Sequence, residues 1–187
     1  VKPLTLMGVF EADPSLSPAT FIEDKAIQRD GPTGVWEPTN YDGKFKGTMT
    51  LREAVSTSRN IPAVLMAERL GYNTLRDLFH KVGLTEAHSL PSTSLGAFEA
   101  SPLDLARAYS VFVNGGALPE ARLVEQVSLP THEGSQAELE PVWEVLLESM
   151  PESQQVVSAR AAALARSVLE SVVTNGSGKR AHSYGVG

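Results

Sequence analysis

The 187-residue chain contains no cysteine, which removes disulfides, thiolate catalysis and cysteine-ligated zinc together. Histidine is sparse as well. His80, His88, His132 and His182 stand far apart, with no His-x-x-x-His pair on a helical face, so neither a metal nor any other cofactor is expected. Basic residues are outnumbered, 16 Lys and Arg against 22 Asp and Glu, and a net charge of -6 argues against a phosphate-binding surface. Nucleic acid is therefore not an expected partner. No apolar run is long enough to cross a bilayer, and no charged segment followed by an apolar one precedes the body as a leader would. The start on Val1 rather than Met points to a piece of a larger protein, with any targeting or anchoring segment upstream. The piece itself is expected to be soluble.

With 42% hydrophobic and 20% charged residues, the composition is that of a globular domain long enough to bury a core. Lys2 to Glu11 reads as a helix with Leu4, Leu6, Met7, Val9 and Phe10 on an apolar side, stopped by Asp13-Pro14. Pro3 is tolerated only in a first turn, which places Lys2 at the N-terminal end. Helix N-termini disfavour cations, so Lys2 is either a surface lysine or a base whose pKa is pulled down. Residues 14 to 47 are rich in Pro, Gly, Asp and Asn, with short extended pieces at Thr20 to Ile22 and Val35-Trp36. So long a weakly regular stretch suits a functional surface, with Trp36 and Tyr41 as a plug pinning it to the body.

Thr50-Leu51-Arg52-Glu53 reads as a capping box opening a helix. A second helix follows from Ile61 to Leu70, with Pro62 in its first turn and Gly71 at its end. Ser58-Arg59-Asn60 lies between them. Either Ser58 and Asn60 are simple caps, or the corner aims a hydroxyl and a carboxamide into one cleft. Further on, Asn73 caps a helix to Val82, Leu90 to Leu95 is expected to be extended, and Gly96 permits close backbone approach. Ser101-Pro102-Leu103-Asp104 opens a helix with Leu105, Ala108, Tyr109 and Phe112 on one face, closed by Gly115-Gly116.

Leu118 to Leu129 reads as an extended pair or one bent strand with Leu123, Val124 and Val127 as its apolar members. Thr131 to Glu140 is a polar turn or insertion, and Glu144 to Val157 is ambiguous between helix and strand. Ser158 caps the longest helix, from Ala159 to Val173. The Thr174 to Arg180 stretch resembles a phosphate loop only superficially, because Val173 and Arg180 occupy places that motif reserves for Gly and Ser or Thr. A helix C-cap and turn fits better, and Tyr184 to Gly187 reads as the approach to a strand.

In this order the residues resemble the transpeptidase domain of the class A, bifunctional penicillin-binding proteins. The resemblance is carried by Val1-Lys2-Pro3, by Trp36 to Asp42, by Leu51-Arg52-Glu53-Ala54 running into Ser58 to Val64, by Ser94-Leu95-Gly96, by Ser101 to Tyr109 and by Gly176-Ser177-Gly178. That family works with three motifs, S-x-x-K, S-x-N and K-[ST]-G. Ser58-Arg59-Asn60 matches the second in full. Lys2 matches the lysine of the first, which places its serine two residues before Val1, and no K-[ST]-G occurs in residues 1–187.

The resemblance implies an α+β, helix-rich, penicillin-binding transpeptidase/beta-lactamase-like fold, an antiparallel sheet flanked by helices plus a helical subdomain. It implies a D,D-transpeptidase acting through a serine acyl-enzyme, with Lys2, Ser58 and Asn60 as catalytic residues in the present chain. Implied partners are peptidoglycan stem peptides ending in D-Ala-D-Ala and beta-lactam antibiotics. The parent is expected on the outer face of the bacterial cytoplasmic membrane, anchored there, with a glycosyltransferase domain upstream. The alternatives are a non-catalytic scaffold or stem-peptide binder, and a related D,D-carboxypeptidase or beta-lactamase. Residues 1–187 alone, a partial domain on this reading, are expected to be inactive.

Overall fold

The computed structural model describes residues 1–31, 34–131, 142–148 and 152–185. In chain order the elements are α1 (Lys2–Ala12), β1 (Phe21–Asp24), β2 (Arg29–Gly31), β3 (Gly34–Trp36), β4 (Gly47–Thr50), α2 (Leu51–Ser56), α3 (Asn60–Leu70) and α4 (Tyr72–Lys81). There follow a 3-10 turn at Pro91–Leu95, α5 (Pro102–Ser110), β5 (Ala117–Pro119), β6 (Gln126–Thr131), β7 (Val142–Glu148), β8 (Ser153–Gln155), α6 (Ala159–Thr174) and a second 3-10 turn at Lys179–Tyr184.

The apolar side expected of α1 extends all the way round: every residue from Leu4 to Phe10 is buried. A helix wrapped on all sides is the centre of a core rather than its edge. It packs on α2, α3, α4 and α6. Gly8 makes the approach close, since a Cβ there would stand 2.6 Å from Leu78 Cδ2 and 2.8 Å from Leu70 Cδ2. On the opposite side α6 presents Ala161, Ala162, Ala165 and Val168, all fully buried. Small side chains let the two helix backbones come together.

Polar contacts fix how these two helices meet. Ser158, the N-cap of α6, accepts from Ala161 N at 3.2 Å and donates its own N–H and hydroxyl to Glu11 Oε2 at 2.9 and 2.6 Å. Arg160 donates to the carbonyl of Phe10 at 3.2 Å, in the last turn of α1 where the helix leaves oxygens unpaired, and to those of Pro14 and Leu16 in the loop beyond it at 2.6 and 3.0 Å. The C-terminal end of α1 is thereby tied to the N-terminal end of α6.

The fold is mixed helix and antiparallel strand, as the resemblance implies. Among the described residues the strands form four two-stranded antiparallel ladders: β1 with β4, β2 with β3, β5 with β8 and β6 with β7. The span 118–129 therefore does not pair with itself, because β5 pairs with β8 and β6 with β7; the stretch left open between helix and strand holds strand in β7 and β8, and residues 149–151 lie outside the described residues. Leu123 is fully exposed and Val124 and Val127 are also exposed, so these apolar residues do not form a buried strand face.

Four further expectations are corrected. Leu90 to Leu95 is not extended, because Pro91 opens a 3-10 turn that Gly96 closes in left-handed geometry at φ +88°. The helix after Gly71 begins at Tyr72, capped by Gly71 itself and not by Asn73. Of the face expected on α5, Ala108 and Phe112 are buried while Leu105 and Tyr109 remain exposed. Tyr41 is fully exposed and pins nothing. Residues 132–140 and 186–187 lie outside the described residues, and with them the expected polar turn and the end of the expected strand approach.

Candidate functional site

The corner at Ser58 is built from the sequence outward. Thr50 caps α2 by accepting from Glu53 N at 3.2 Å, and Glu53 answers by accepting from Thr50 N at 2.9 Å, the reciprocal capping box expected there. The helix ends after one and a half turns in a Schellman arrangement: Ser58 N donates to Val55 O at 3.0 Å and Arg59 N donates to Ala54 O at 2.8 Å. That motif needs a left-handed residue just past the cap, ordinarily glycine. Here it is Ser58, at φ +57°, the sole non-glycine residue with positive φ among the described ones. A serine held in a conformation that penalises its Cβ is a pointer to function.

Neither Ser58 nor Asn60 is a helix cap. The N-cap of α3 is Arg59, and it makes no side-chain capping bond. Both side chains turn instead to Lys2, which the first turn of α1 presents across the gap. Lys2 Nζ donates to Ser58 O at 2.6 Å, to Ser58 Oγ at 3.0 Å and to Asn60 Oδ1 at 2.7 Å. The three residues singled out in the sequence, 56 and 58 positions apart along the chain, meet at one nitrogen. All three donors of the ammonium are occupied. Partial burial, reinforced by the nearby positive charge of Arg59, pulls the Lys2 pKa from 10.5 down to about 8. The Lys2 ammonium is thus bonded into the corner and is not free at the surface.

Beneath the corner lies a polar network that the motif spacing does not announce. Arg59 is 6% exposed and donates through Nε to Asp24 Oδ2 at 2.9 Å, through one terminal nitrogen to both oxygens of Asp42 at 3.0 Å, and through the other to the carbonyl of Lys44. The Asp42 carboxyl is held below its ordinary range by these bonds from Arg59. Asp24 is fully buried and also accepts from Lys46 N at 3.1 Å and from Asn40 Nδ2 at 2.7 Å. Asn60 Nδ2 donates to Thr39 O at 2.7 Å, which fixes its amide with Oδ1 toward Lys2. The Pro-, Gly- and Asp-rich stretch expected to be a functional surface thus supplies the floor of the corner.

A cleft of about 390 Å³ opens beside Lys2 and Ser58, with Leu95, Tyr109, Leu169 and Ser177 on its walls. Tyr109 and Ser177 were not singled out as site residues, since neither belongs to a local pattern with Lys2 or Ser58. Ser177 is set by the turn after α6: its N–H donates to Ser56 O at 2.9 Å, and Gly176 lies so near that a Cβ would fall 2.2 Å from the same oxygen. Only glycine fits at that approach. Among the described residues no group of three or more His, Asp or Glu side chains is arranged to hold a metal ion, and no helix is long and apolar enough to cross a membrane.

The arrangement can be set beside known proteins. The family model described as "Penicillin binding protein transpeptidase domain" matches residues 1–186. Penicillin-binding protein 1B of Vibrio cholerae is 30% identical over 182 residues, 96% of this chain and 22% of that protein. Penicillin-binding protein 1A of Aquifex aeolicus is 32% identical over 146 residues, 78% of this chain and 19% of the relative. The chain thus spans about one fifth of the length of these relatives. Among solved structures, penicillin-binding protein 1A from Haemophilus influenzae superposes with a TM-score of 0.80 at 21% identity, covering 96% of this chain and 31% of that one. Penicillin-binding protein A from M. tuberculosis, in an imipenem acyl-enzyme complex, superposes with a TM-score of 0.72 at 19% identity over 92% of this chain and 42% of that one. The two solved structures share the fold, and the family match extends over nearly every residue, including Lys2 and the Ser58 corner: the chain belongs to the penicillin-binding protein transpeptidase domain family.

Proposed function

We propose that the protein to which this chain belongs is a serine-type D,D-transpeptidase that cross-links peptidoglycan stem peptides and is acylated by beta-lactams. The single observation that carries the reading is the convergence of Lys2 Nζ on Ser58 Oγ and Asn60 Oδ1. An amine whose pKa falls to about 8 is available in its neutral form near physiological pH. In this reading the neutral Lys2 takes the proton of a serine two residues before Val1 as that serine's oxygen attacks the carbonyl of the penultimate D-alanine. The C–N bond then breaks, and the departing D-alanine amine receives its proton through Ser58, relayed from Lys2. Asn60 holds a substrate amide. The amine of a second stem peptide attacks the resulting ester, forming the cross-link and freeing the serine.

Residues 1–187 are on this view a partial transpeptidase domain, with the serine ahead of Val1 and the K-[ST]-G strand after Gly187. That strand would bind the substrate carboxylate and complete the oxyanion hole. On this reading the parent protein sits at the outer face of the bacterial cytoplasmic membrane, anchored there and preceded by a glycosyltransferase domain. The test is labelling of the parent chain with a fluorescent penicillin. A covalent adduct that disappears with Lys2→Met and persists after unfolding supports the proposal; a parent chain that carries the upstream serine and takes no label defeats it. Residues 1–187 alone are expected to take none.

A further inference from the structure

The first amides of α3 are capped from outside the helix. Arg59 offers no side-chain cap, and the N–H groups of Asn60 and Ile61 donate instead to Asn40 Oδ1 at 2.8 and 3.3 Å. Asn40 is 3% exposed, and its own amide nitrogen donates to Asp24 Oδ1 at 2.7 Å and to Lys44 O at 3.0 Å. Every strong bonding position of that side chain is used. A flip of its amide would set NH₂ against two N–H groups and oxygen against a buried carboxylate, so the orientation is dictated. The preceding carbonyl, Thr39 O, receives the side-chain nitrogen of Asn60.

We propose that Asn40 is a positioning residue for the transpeptidase site: locked by Asp24, it fixes the backbone at the first turn of α3, and with Thr39 O orienting the Asn60 amide it holds Asn60 Oδ1 on Lys2. This inference rests on the functional reading above. Two neighbouring loop residues grip Asn60 at two points, the main chain through Asn40 Oδ1 and the side chain through Thr39 O. With the cap removed, α3 can shift at its first turn, and a displacement of about 1 Å at a catalytic group is worth up to about 100-fold in rate. Asn40 touches neither Lys2 nor the cleft, so its effect passes through Asn60.

The test uses the full-length parent protein and two readouts. Hydrogen exchange followed by mass spectrometry on peptides spanning Asn60 and Ile61 should show lost protection in Asn40→Ala, with protection of α1 unchanged. Acylation by a fluorescent penicillin should slow about 10- to 100-fold in Asn40→Ala, but by a much smaller factor when the same change is made in an Asn60→Ala background, because coupled residues are non-additive. Unchanged exchange at Asn60 and Ile61, an unchanged acylation rate, or an equal loss in both backgrounds would each overturn the proposal. A parent that takes no label in its unvaried form sinks the transpeptidase reading instead, and the exchange arm still decides whether Asn40 holds the corner.

Discussion

Ser58 stands at φ +57° with its hydroxyl 3.0 Å from Lys2 Nζ, so the residue that strains the backbone is also the one that meets the lysine. The left-handed conformation costs a side chain roughly 1–2 kcal/mol relative to glycine. A position where glycine would be conformationally cheaper carries a hydroxyl, and that hydroxyl is aimed at the Lys2 amine. Stability and chemistry are opposed at a single Cα.

Ser58→Gly should therefore raise the stability of the chain by roughly 1 kcal/mol while abolishing productive turnover. Chemical unfolding and penicillin acylation of the full-length parent protein measure the two effects. A loss of stability would show that the Lys2 contact outweighs the strain.

Lys2 sets a pH dependence with a definite sign. Its folded pKa of about 8 lies below the ordinary 10.5, so the neutral amine grows as pH rises through 8, and acylation should climb to a plateau above that value. Between about 8 and 10.5 the unfolded chain binds more protons at this residue than the folded one, so the contribution of Lys2 to stability should improve as pH rises across that window. A flat acylation profile between pH 6.5 and 9, pH values set for the assay at roughly the range over which such a group titrates, would remove Lys2 as the base.

Asn60→Asp keeps an oxygen toward Lys2 but adds a negative charge and loses the donor that Thr39 O accepts at 2.7 Å. The carboxylate should stabilise the ammonium and move the acylation limb to higher pH, leaving activity at neutral pH reduced by about an order of magnitude or more. A pH profile identical to that of Asn60 would indicate that the amide does not face the amine in solution.

Arg59→Ala strips the buried Asp24 of its ion partner, and breaking such a pair costs roughly 3–5 kcal/mol. Arg59→Lys keeps the charge but cannot reach Asp24, Asp42 and Lys44 O at once, so an intermediate loss is expected. Equal melting temperatures for Arg59→Lys and the unvaried chain would contradict the geometry.

Gly176→Ala places a methyl 2.2 Å from Ser56 O and 2.8 Å from Val172 Cα, both backbone atoms that cannot step aside. The expected result is a destabilisation of roughly 1–3 kcal/mol together with slower acylation, since Ser56 leads directly into the Ser58 corner. Preserved stability would mean that the turn after α6 is free to move off the corner.

Much of this was legible before any coordinates, and the reason is local. Thr50, Ser101 and Ser158 cap helices by bonds that span three residues, so spacing alone betrays them. The three site residues were legible through family resemblance, because nothing within a short window of Lys2 mentions Ser58. Long-range pairing was opaque: β5 and β6 are neighbours in sequence, yet each pairs with a later strand across residues of weak pattern. Asn40 and Arg59 were hidden for a different reason. A polar residue among turn formers reads as a loop, and only the fold reveals that Asn40 and Asp24 are buried beneath the corner.

The central position of α1 has a consequence for biosynthesis. This helix is translated before α2, α3, α4 and α6, the helices it packs against among the described residues, and α6, which covers one of its sides, ends at Thr174. At about 5–20 residues per second the ribosome needs roughly 10–30 s to deliver that cover. Through that interval the apolar segment that carries Lys2 lacks its native cover on that side. The nascent protein is therefore an expected client of holding chaperones until α6 arrives.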